Sequence, residues 1–414
     1  MGRPGGYAMT SPGKQHTLDL AQRYVCPDRV RFLTGAGIDL VIGRREGYRI
    51  WDVDGRELID IHLNGGVFNL GHRNPDVIAA LTDALTTLDI GNHHFPSTER
   101  AALAQRLVGV TPGMHYAVFA SGGGEAIDLA LKSARRATGR RRIVSVTDAY
   151  HGHTGLALAA GDEPSATAFL ATEPDFVRVP FNDADALAAA LAEPTAAVIL
   201  ETVPATAGFP RPSAGYLPAV RRLCDQTGAL YIADEVQTGL GRSGHMWAVE
   251  EFGVEPDILV TGKGLSGGIY PIAATLVSER AGAWLESDGW SHVSTFGGAE
   301  LGCRVAETVL DLTERVLPGL PIDAWREGFA DLRAKYPQWV LEVRQTGLIM
   351  GVRFAHEAGG MLMTRLLYDQ GVWAMFAGFD RSVLQVKPGL LMSAEDRQQV
   401  LAAFDRACAA AVAL

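Results

Sequence analysis

Asp234 and Lys263 each stand just beyond a short apolar run, Ala229-Leu230-Tyr231-Ile232-Ala233 before the first and Ile258-Leu259-Val260 before the second. Runs of this length, followed by glycine-rich turns, read as buried strands. Side chains just past the C-terminal ends of neighbouring parallel strands converge on one crevice. The pattern therefore predicts a carboxylate and an amine facing the same small molecule.

A lysine amine condenses with an aldehyde to a Schiff base, and a carboxylate can hold a proton on a pyridine nitrogen. Together they are what pyridoxal 5′-phosphate requires. Singly the two residues say little: a lysine after a strand is most often a solvated cation, and an aspartate at a strand end a turn or helix cap.

The elements that must hold such a pair can be read along the chain. Its 414 residues, 47% hydrophobic and 20% charged, suffice for a large domain with a smaller companion. The net charge of −10 is spread out, and no run of Lys and Arg suits nucleic acid. No apolar stretch is long enough to span a bilayer, and the Gly- and Pro-rich start reads as a flexible tail without a signal segment. The four cysteines are scattered, with no disulfide framework or metal spacing, which fits a cytoplasmic chain. His93-His94 lacks a third ligand at a sensible spacing, so no metal is expected.

Alternating apolar residues with Gly and Asp-Gly turns between Ile38 and Ile61 predict hairpins. Asn64-Gly65-Gly66 begins a loop before a helix near Pro75. Further buried strands are expected at Tyr116–Phe119, Ile143–Val146 and Ala197–Leu200. Ser121-Gly122-Gly123-Gly124 opens a helix over Ala126–Ala137, where bare backbone N–H groups could cradle a phosphate. Taken alone, such glycines mark a tight turn as readily. Tyr150, after the Ile143 strand, reads equally as core packing or as a ring that stacks on a pyridinium.

DEVQTGLGRSG at 234–244, followed by TGKG at 261–264, resembles nearly residue for residue the signature of the class III aminotransferases. These are fold-type I pyridoxal phosphate enzymes that include ornithine, acetylornithine and GABA aminotransferases. The resemblance runs over nearly the whole chain after the tail. It implies an α/β fold, a mainly parallel seven-stranded-type sheet in a large domain plus a smaller α+β domain. The corresponding division is a tail at 1–17, an N-terminal segment at 18–64 packing with the small domain, a large cofactor-binding domain at 65–303 and a small domain at 304–414.

The same resemblance implies site roles. Lys263 would carry the cofactor and Asp234 its ring nitrogen, Gly123 and Gly124 would bind phosphate, Tyr150 and Val236 would flank the ring, and Gln237 would reach its phenolic oxygen. Thr295, in Ser294-Thr295-Phe296-Gly297-Gly298, would reach the phosphate in a partner subunit, which implies a homodimer with composite sites. Phe68 falls where family members vary a substrate contact, and Glu201 belongs to the hydrogen-bond network of the site. The expected reaction is a ping-pong transfer between an amine donor and a carbonyl acceptor.

The chain departs from the family's pattern in ways that bear on substrate. Gly124 stands where a Thr hydroxyl is usual, and Ala299-Glu300 replace Asn-Pro. Thr206 stands where glutamate-using members carry a second Glu, and Gln385 where they carry the carboxylate-binding Arg. Arg381, Lys387 and Arg44 are possible substitutes. The expected donor is a primary amine on another skeleton, such as an amino sugar, a diamine or another biosynthetic intermediate. An aminomutase, decarboxylase or phospho-lyase is the enzymatic alternative, and a cofactor-bearing interaction protein the non-enzymatic one.

Overall fold

Fifteen strands were found in the computed structural model, which describes residues 13–161 and 163–414. In chain order they are β1 (Ile42–Glu46), β2 (Arg49–Asp52), β3 (Glu57–Asp60), β4 (Tyr116–Ala120), β5 (Arg142–Val146), β6 (Phe176–Val179), β7 (Thr195–Glu201) and β8 (Leu230–Asp234). There follow β9 (Ile258–Thr261), β10 (Ala273–Val277), β11 (Val340–Thr346), β12 (Ile349–Phe354), β13 (Val372–Trp373), β14 (Met375–Phe376) and β15 (Val383–Val386).

Seven of them form the central sheet, in the order β4-β10-β9-β8-β7-β5-β6. β10 runs antiparallel to both of its neighbours, and the remaining pairings are parallel. Helices cover both faces, so β7, β8, β9 and β10 are buried at every position. That is why they appear in the sequence as continuous apolar runs rather than alternating ones. The six co-directional strands all end on the same edge. Glu201 lies beside Asp234 in the β7–β8 register, and Asp234 is paired with Val260, one residue before Thr261. This register brings the ends of three strands, and the turns that follow them, to one place.

The helix Gly123–Thr138 starts at this edge, just after β4, and runs back toward the start of β5. Its N-cap, Gly122, has no side chain to occupy the first free N–H groups, and its C-terminus is closed by Gly139 in the left-handed conformation. Ala126, Ile127, Ala130, Leu131 and Ala134 bury its inner face against the sheet.

Two four-stranded sheets flank the central one. β1-β2-β3 is the expected antiparallel patch, completed by β13 lying parallel to β3. The order β11-β12-β15-β14 forms the other, all antiparallel. The N-terminal segment therefore shares a sheet with a strand contributed more than 300 residues later. The core beneath them holds Tyr48, Leu63, Trp325, Phe329, Phe354 and Phe404. The long helix Glu300–Val316 joins this core to the central sheet, burying nine residues and packing on the helix Pro75–Ala84. Residues 1–12 of the expected tail lie outside the described residues, and Lys14 begins a helix that runs to Tyr24. Lys14 bridges Asp39 at 2.8 Å and the buried Asp52 at 2.9 Å.

One buried hydroxyl ties three distant segments together. Tyr48 Oη donates to Asn69 O at 3.1 Å and accepts from Leu391 N at 2.9 Å. Tyr48→Phe keeps the ring and removes both bonds. It is expected to lower unfolding free energy by about 1–3 kcal/mol, read from the denaturant midpoint at unchanged m-value.

Candidate active site

Where the strand ends converge, a cavity of about 160 Å³ opens, walled by Gly123, Gly124, Tyr150, Glu201, Asp234, Val236, Gln237 and Lys263 among others. Of the five lysines in the chain, Lys263 is the one that faces it. Lys14 is held by acids, Lys335 pairs with Asp405, Lys132 contacts His292 on the outside, and Lys387 is buried against Gln385.

Lys263 follows β9 with φ of 40°, a left-handed backbone that a side-chain-bearing residue adopts at a cost of about 1–3 kcal/mol. The strain is stored where the chain must turn sharply to aim the amine into the crevice. Nζ donates to Gln237 Oε1 at 2.9 Å and stands 5.8 Å from the centre of the Tyr150 ring. Its pKa lies below the ordinary lysine range, chiefly through burial, with Arg242 adding and Asp234 and Glu201 opposing. Its hydrogen-bond partner is a neutral amide, so the amine is dry without being locked into an ion pair.

Asp234 is kept away from Lys263 by bonds of its own. His151 Nδ1 lies 2.8 Å from its Oδ2, and Val236 N donates to Oδ1 at 3.0 Å. Glu201 accepts from Tyr150 N at 2.9 Å and from Ala205 N at 3.2 Å. Burial, then the nearby Asp234, push the Glu201 carboxyl up to about 7, against the opposing effects of His151 and the two amides.

The walls fit a phosphorylated pyridine aldehyde. Gln237 Nε2 is buried without a partner, a donor aimed at nothing the protein supplies. A Cβ placed on Gly123 would come within 3.1 Å of Val236, and one on Gly124 within 2.9 Å of Thr154 Oγ1, so both glycines keep the cradle open. That second contact identifies a residue overlooked in the sequence. Thr154 caps the helix Gly155–Ala160 without a side-chain bond of its own, and so brings a free hydroxyl beside the position where Gly124 lacks one. The adjoining YHGHT string was the available signal. Arg242 was missed as well: wholly buried, it donates to Asn69 Oδ1 at 2.6 Å and Pro388 O at 3.3 Å behind the lysine.

Three expected residues lie elsewhere. Phe68 packs on His72, with ring centres 3.9 Å apart, and against Gly268 rather than on the cavity wall. Arg381 is exposed in the turn before β15. Thr295 is exposed on its own chain, next to Phe296, near a larger hollow of about 810 Å³ bounded by Phe119, Trp290 and Val293. That hollow is lined by none of the residues around Lys263. Gln385 Nε2 donates to Ala205 O at 3.1 Å, and Lys387 donates to Gln385 Oε1. Lys387 is wholly buried, and burial, with Arg242 and Lys263 adding, holds its amine well below the usual range.

The sequence profile of the family described as Aminotransferase class-III matches residues 34–408. An uncharacterized aminotransferase of Archaeoglobus fulgidus is 47% identical over 388 residues, covering 93% of this chain and 92% of its own length. A putrescine aminotransferase of Pectobacterium atrosepticum is 34% identical over 407 residues, covering 94% and 87%. Among solved structures, the ornithine aminotransferase of Toxoplasma gondii, with partial occupancy of PLP at its active site, superposes with a TM-score of 0.86 at 26% identity, covering 96% of this chain and 94% of that one.

Glu201 gives a measurable pH signature. Its folded pKa of about 7 lies above the ordinary 4.5, so the folded state binds the proton more tightly and its ionisation destabilises the fold. This contribution is absent below pH 4.5, grows as pH rises and is complete above 7, reaching about 3 kcal/mol. Unfolding of cofactor-free protein between pH 5 and 8 should show a correspondingly shallower decline in Glu201→Gln than in the wild type.

Proposed function

The chain belongs to the class III aminotransferases, and from that premise we propose that it moves an amino group from a primary amine lacking an α-carboxylate, a diamine first of all, to a carbonyl acceptor. Pyridoxal 5′-phosphate, the cofactor implied by the family, supplies an aldehyde that captures the amine and a ring that accepts its electrons. In this reading Lys263 holds the aldehyde, Asp234 keeps a proton on the ring nitrogen with His151 fixing its orientation, and Gln237 Nε2 donates to the ring oxygen. Tyr150 and Val236 would line the space the ring takes. Gly123, Gly124 and the N–H groups at the start of their helix receive the phosphate. With the cofactor bound, Lys263 Nζ would be the group available in the crevice to take a proton from the substrate's amine-bearing carbon. The lowered pKa favours the free-base form this step needs.

The observation that carries the substrate reading is the Gln385–Lys387 pair. By its position in the sequence Gln385, an amide already bonded to Ala205 O, replaces the family's carboxylate-binding Arg, and Lys387, an amine whose charged form burial opposes, is bonded to it. Thr206, in place of the second Glu, has a buried hydroxyl without a partner. Neither Arg381 nor Arg44 takes over: the first is exposed, and the second lies over the Trp51 ring and pairs with Glu46 at the surface. Glu201 is an acid on the cavity wall, and a distal ammonium would supply the countercharge that its raised pKa shows it lacks. The likeness to a putrescine aminotransferase supports the same choice.

Thr295 serves this scheme only from a second copy, so the working unit in this reading is a homodimer with composite sites. The exposed Phe95, Trp290 and Phe296 around that segment support it. The four cysteines are unpaired, in keeping with a cytoplasmic setting. Among the described residues no helix is long and apolar enough to cross a membrane.

The test is the first half-reaction without acceptor, followed by the cofactor's absorbance. A short aliphatic diamine should bleach the lysine-bound form at least about 100-fold more efficiently than glutamate. Glutamate reacting as well as the diamine would overturn the substrate reading while leaving the family untouched.

A further inference from the structure

Between Asp60 and His72 the chain makes a turn that is costly by itself. Leu63, Asn64, Gly65 and Gly66 have φ values of 53°, 49°, 70° and 96°, four consecutive residues in the left-handed region. For Leu63 and Asn64 that conformation costs about 1–2 kcal/mol each. A strained segment of this kind persists only where its surroundings over-determine it.

The surroundings are an almost wholly buried carboxylate and imidazole. Asp60 Oδ1 accepts from His62 N at 2.9 Å and from Leu63 N at 2.7 Å, while Oδ2 lies 2.9 Å from His72 Nε2. His72 is fixed in turn, its backbone bridged to Gly47 and its ring against Phe68. Leu63 is buried in the core, which anchors the turn from below.

The far side of the turn lies on the reactive lysine. A Cβ on Gly65 would stand 3.4 Å from Lys263 Cε, 3.8 Å from its Nζ and 3.5 Å from Gln237 Oε1, and one on Gly66 would stand 3.1 Å from Arg242 Nε. The backbone of the turn thus lies beside the lysine side chain and the amide that orients it, with no more than the width of a methyl group between them. Neither Asp60 nor His72 lines the cavity.

We propose that Asp60 and His72 are positioning residues of the reaction, clamping the left-handed turn Leu63–Gly66 over Lys263 so that water is kept from its amine. The clamp acts at a distance, through backbone: carboxylate to two amides, amides to turn, turn to lysine. Burial is the largest influence that lowers the Lys263 pKa, and this turn contributes to that burial. The charged or titratable groups that face the amine are Asp234 at the end of β8, Glu201 at the end of β7, Tyr150 after β5, Arg242 in the loop after β8, Lys387 after β15 and His62 after β3.

The proposal rests on Lys263 being the reactive amine, and its test separates the two claims. Cofactor-free protein is acetylated with an amine-selective reagent across a pH series, and the Lys263 peptide is quantified by mass spectrometry, with exposed Lys132 and Lys335 as internal references. In the wild type the Lys263 midpoint should lie below that of Lys132. Asp60→Ala should raise it by about one unit, a tenfold loss of free amine at neutral pH. Asp60→Asn, which keeps an acceptor for the His62 and Leu63 amides, should restore most of the shift. His72→Phe keeps the ring contact but loses the bond to Asp60, and should raise the midpoint in the same direction even if Asp60→Ala fails to fold. An unchanged Lys263 midpoint in folded His72→Phe would overturn the clamp and leave the lysine reading standing. A wild-type midpoint equal to that of Lys132 would overturn both.

Discussion

An amine buried beside carboxylates ordinarily ends in an ion pair, and an ion-paired lysine is a poor nucleophile. This protein keeps Lys263 dry and near Asp234 and Glu201 without letting either carboxylate capture it. Asp234 is occupied by His151 and by a backbone amide, Glu201 by two backbone amides, and Lys263 is given the neutral oxygen of Gln237. The remaining architecture supports that arrangement. Parallel strands in register bring the acids side by side, a strained turn after β9 aims the amine, and a left-handed turn from the N-terminal segment closes over it.

The supporting elements come from distant parts of the chain because no single local segment can wall a lysine on all sides. The central sheet supplies the floor. The roof is carried by β3, which is held against β13 more than 300 residues away, and the Gln385–Lys387 pair by β15 and the residue after it. Arg242 links them, reaching from the loop after β8 to Asn69 and Pro388. A buried guanidinium whose partners are an amide and a carbonyl keeps positive charge behind the site, and so disfavours a further proton on Lys263 or Lys387.

Much of this was legible in the sequence because the central strands are buried on both faces and so appear as uninterrupted apolar runs. The polar residues that end them therefore stand out, and Asp234, Lys263, Glu201 and Tyr150 do line one cavity, as do Val236, Gln237, Gly123 and Gly124. The antiparallel patch over β1–β3 was visible from its alternation and turns, but its completion by β13 was not, since a two-residue strand carries no periodicity. The left-handed turn at Leu63–Gly66 was hidden for a similar reason. Two of its four residues are not glycine, and the side chain that holds it, Asp60, reads locally as the end of a hairpin. Arg242 and Lys387 carry no sign in a sequence that their charges are buried. Phe68 was placed by position in a motif and Arg381 by being a cation near the missing Arg, and neither reports the direction of a side chain.

The most direct test of the account is to load the protein with pyridoxal 5′-phosphate, reduce it with borohydride and locate the pyridoxyl group by peptide mass spectrometry. With five lysines in the chain the outcome is a choice among few sites. The account predicts one adduct per chain, on Lys263, and its loss in Lys263→Ala. An adduct on Lys387 or on a surface lysine instead, or none after loading, would contradict the claim that the strand-end crevice is built around the Lys263 amine.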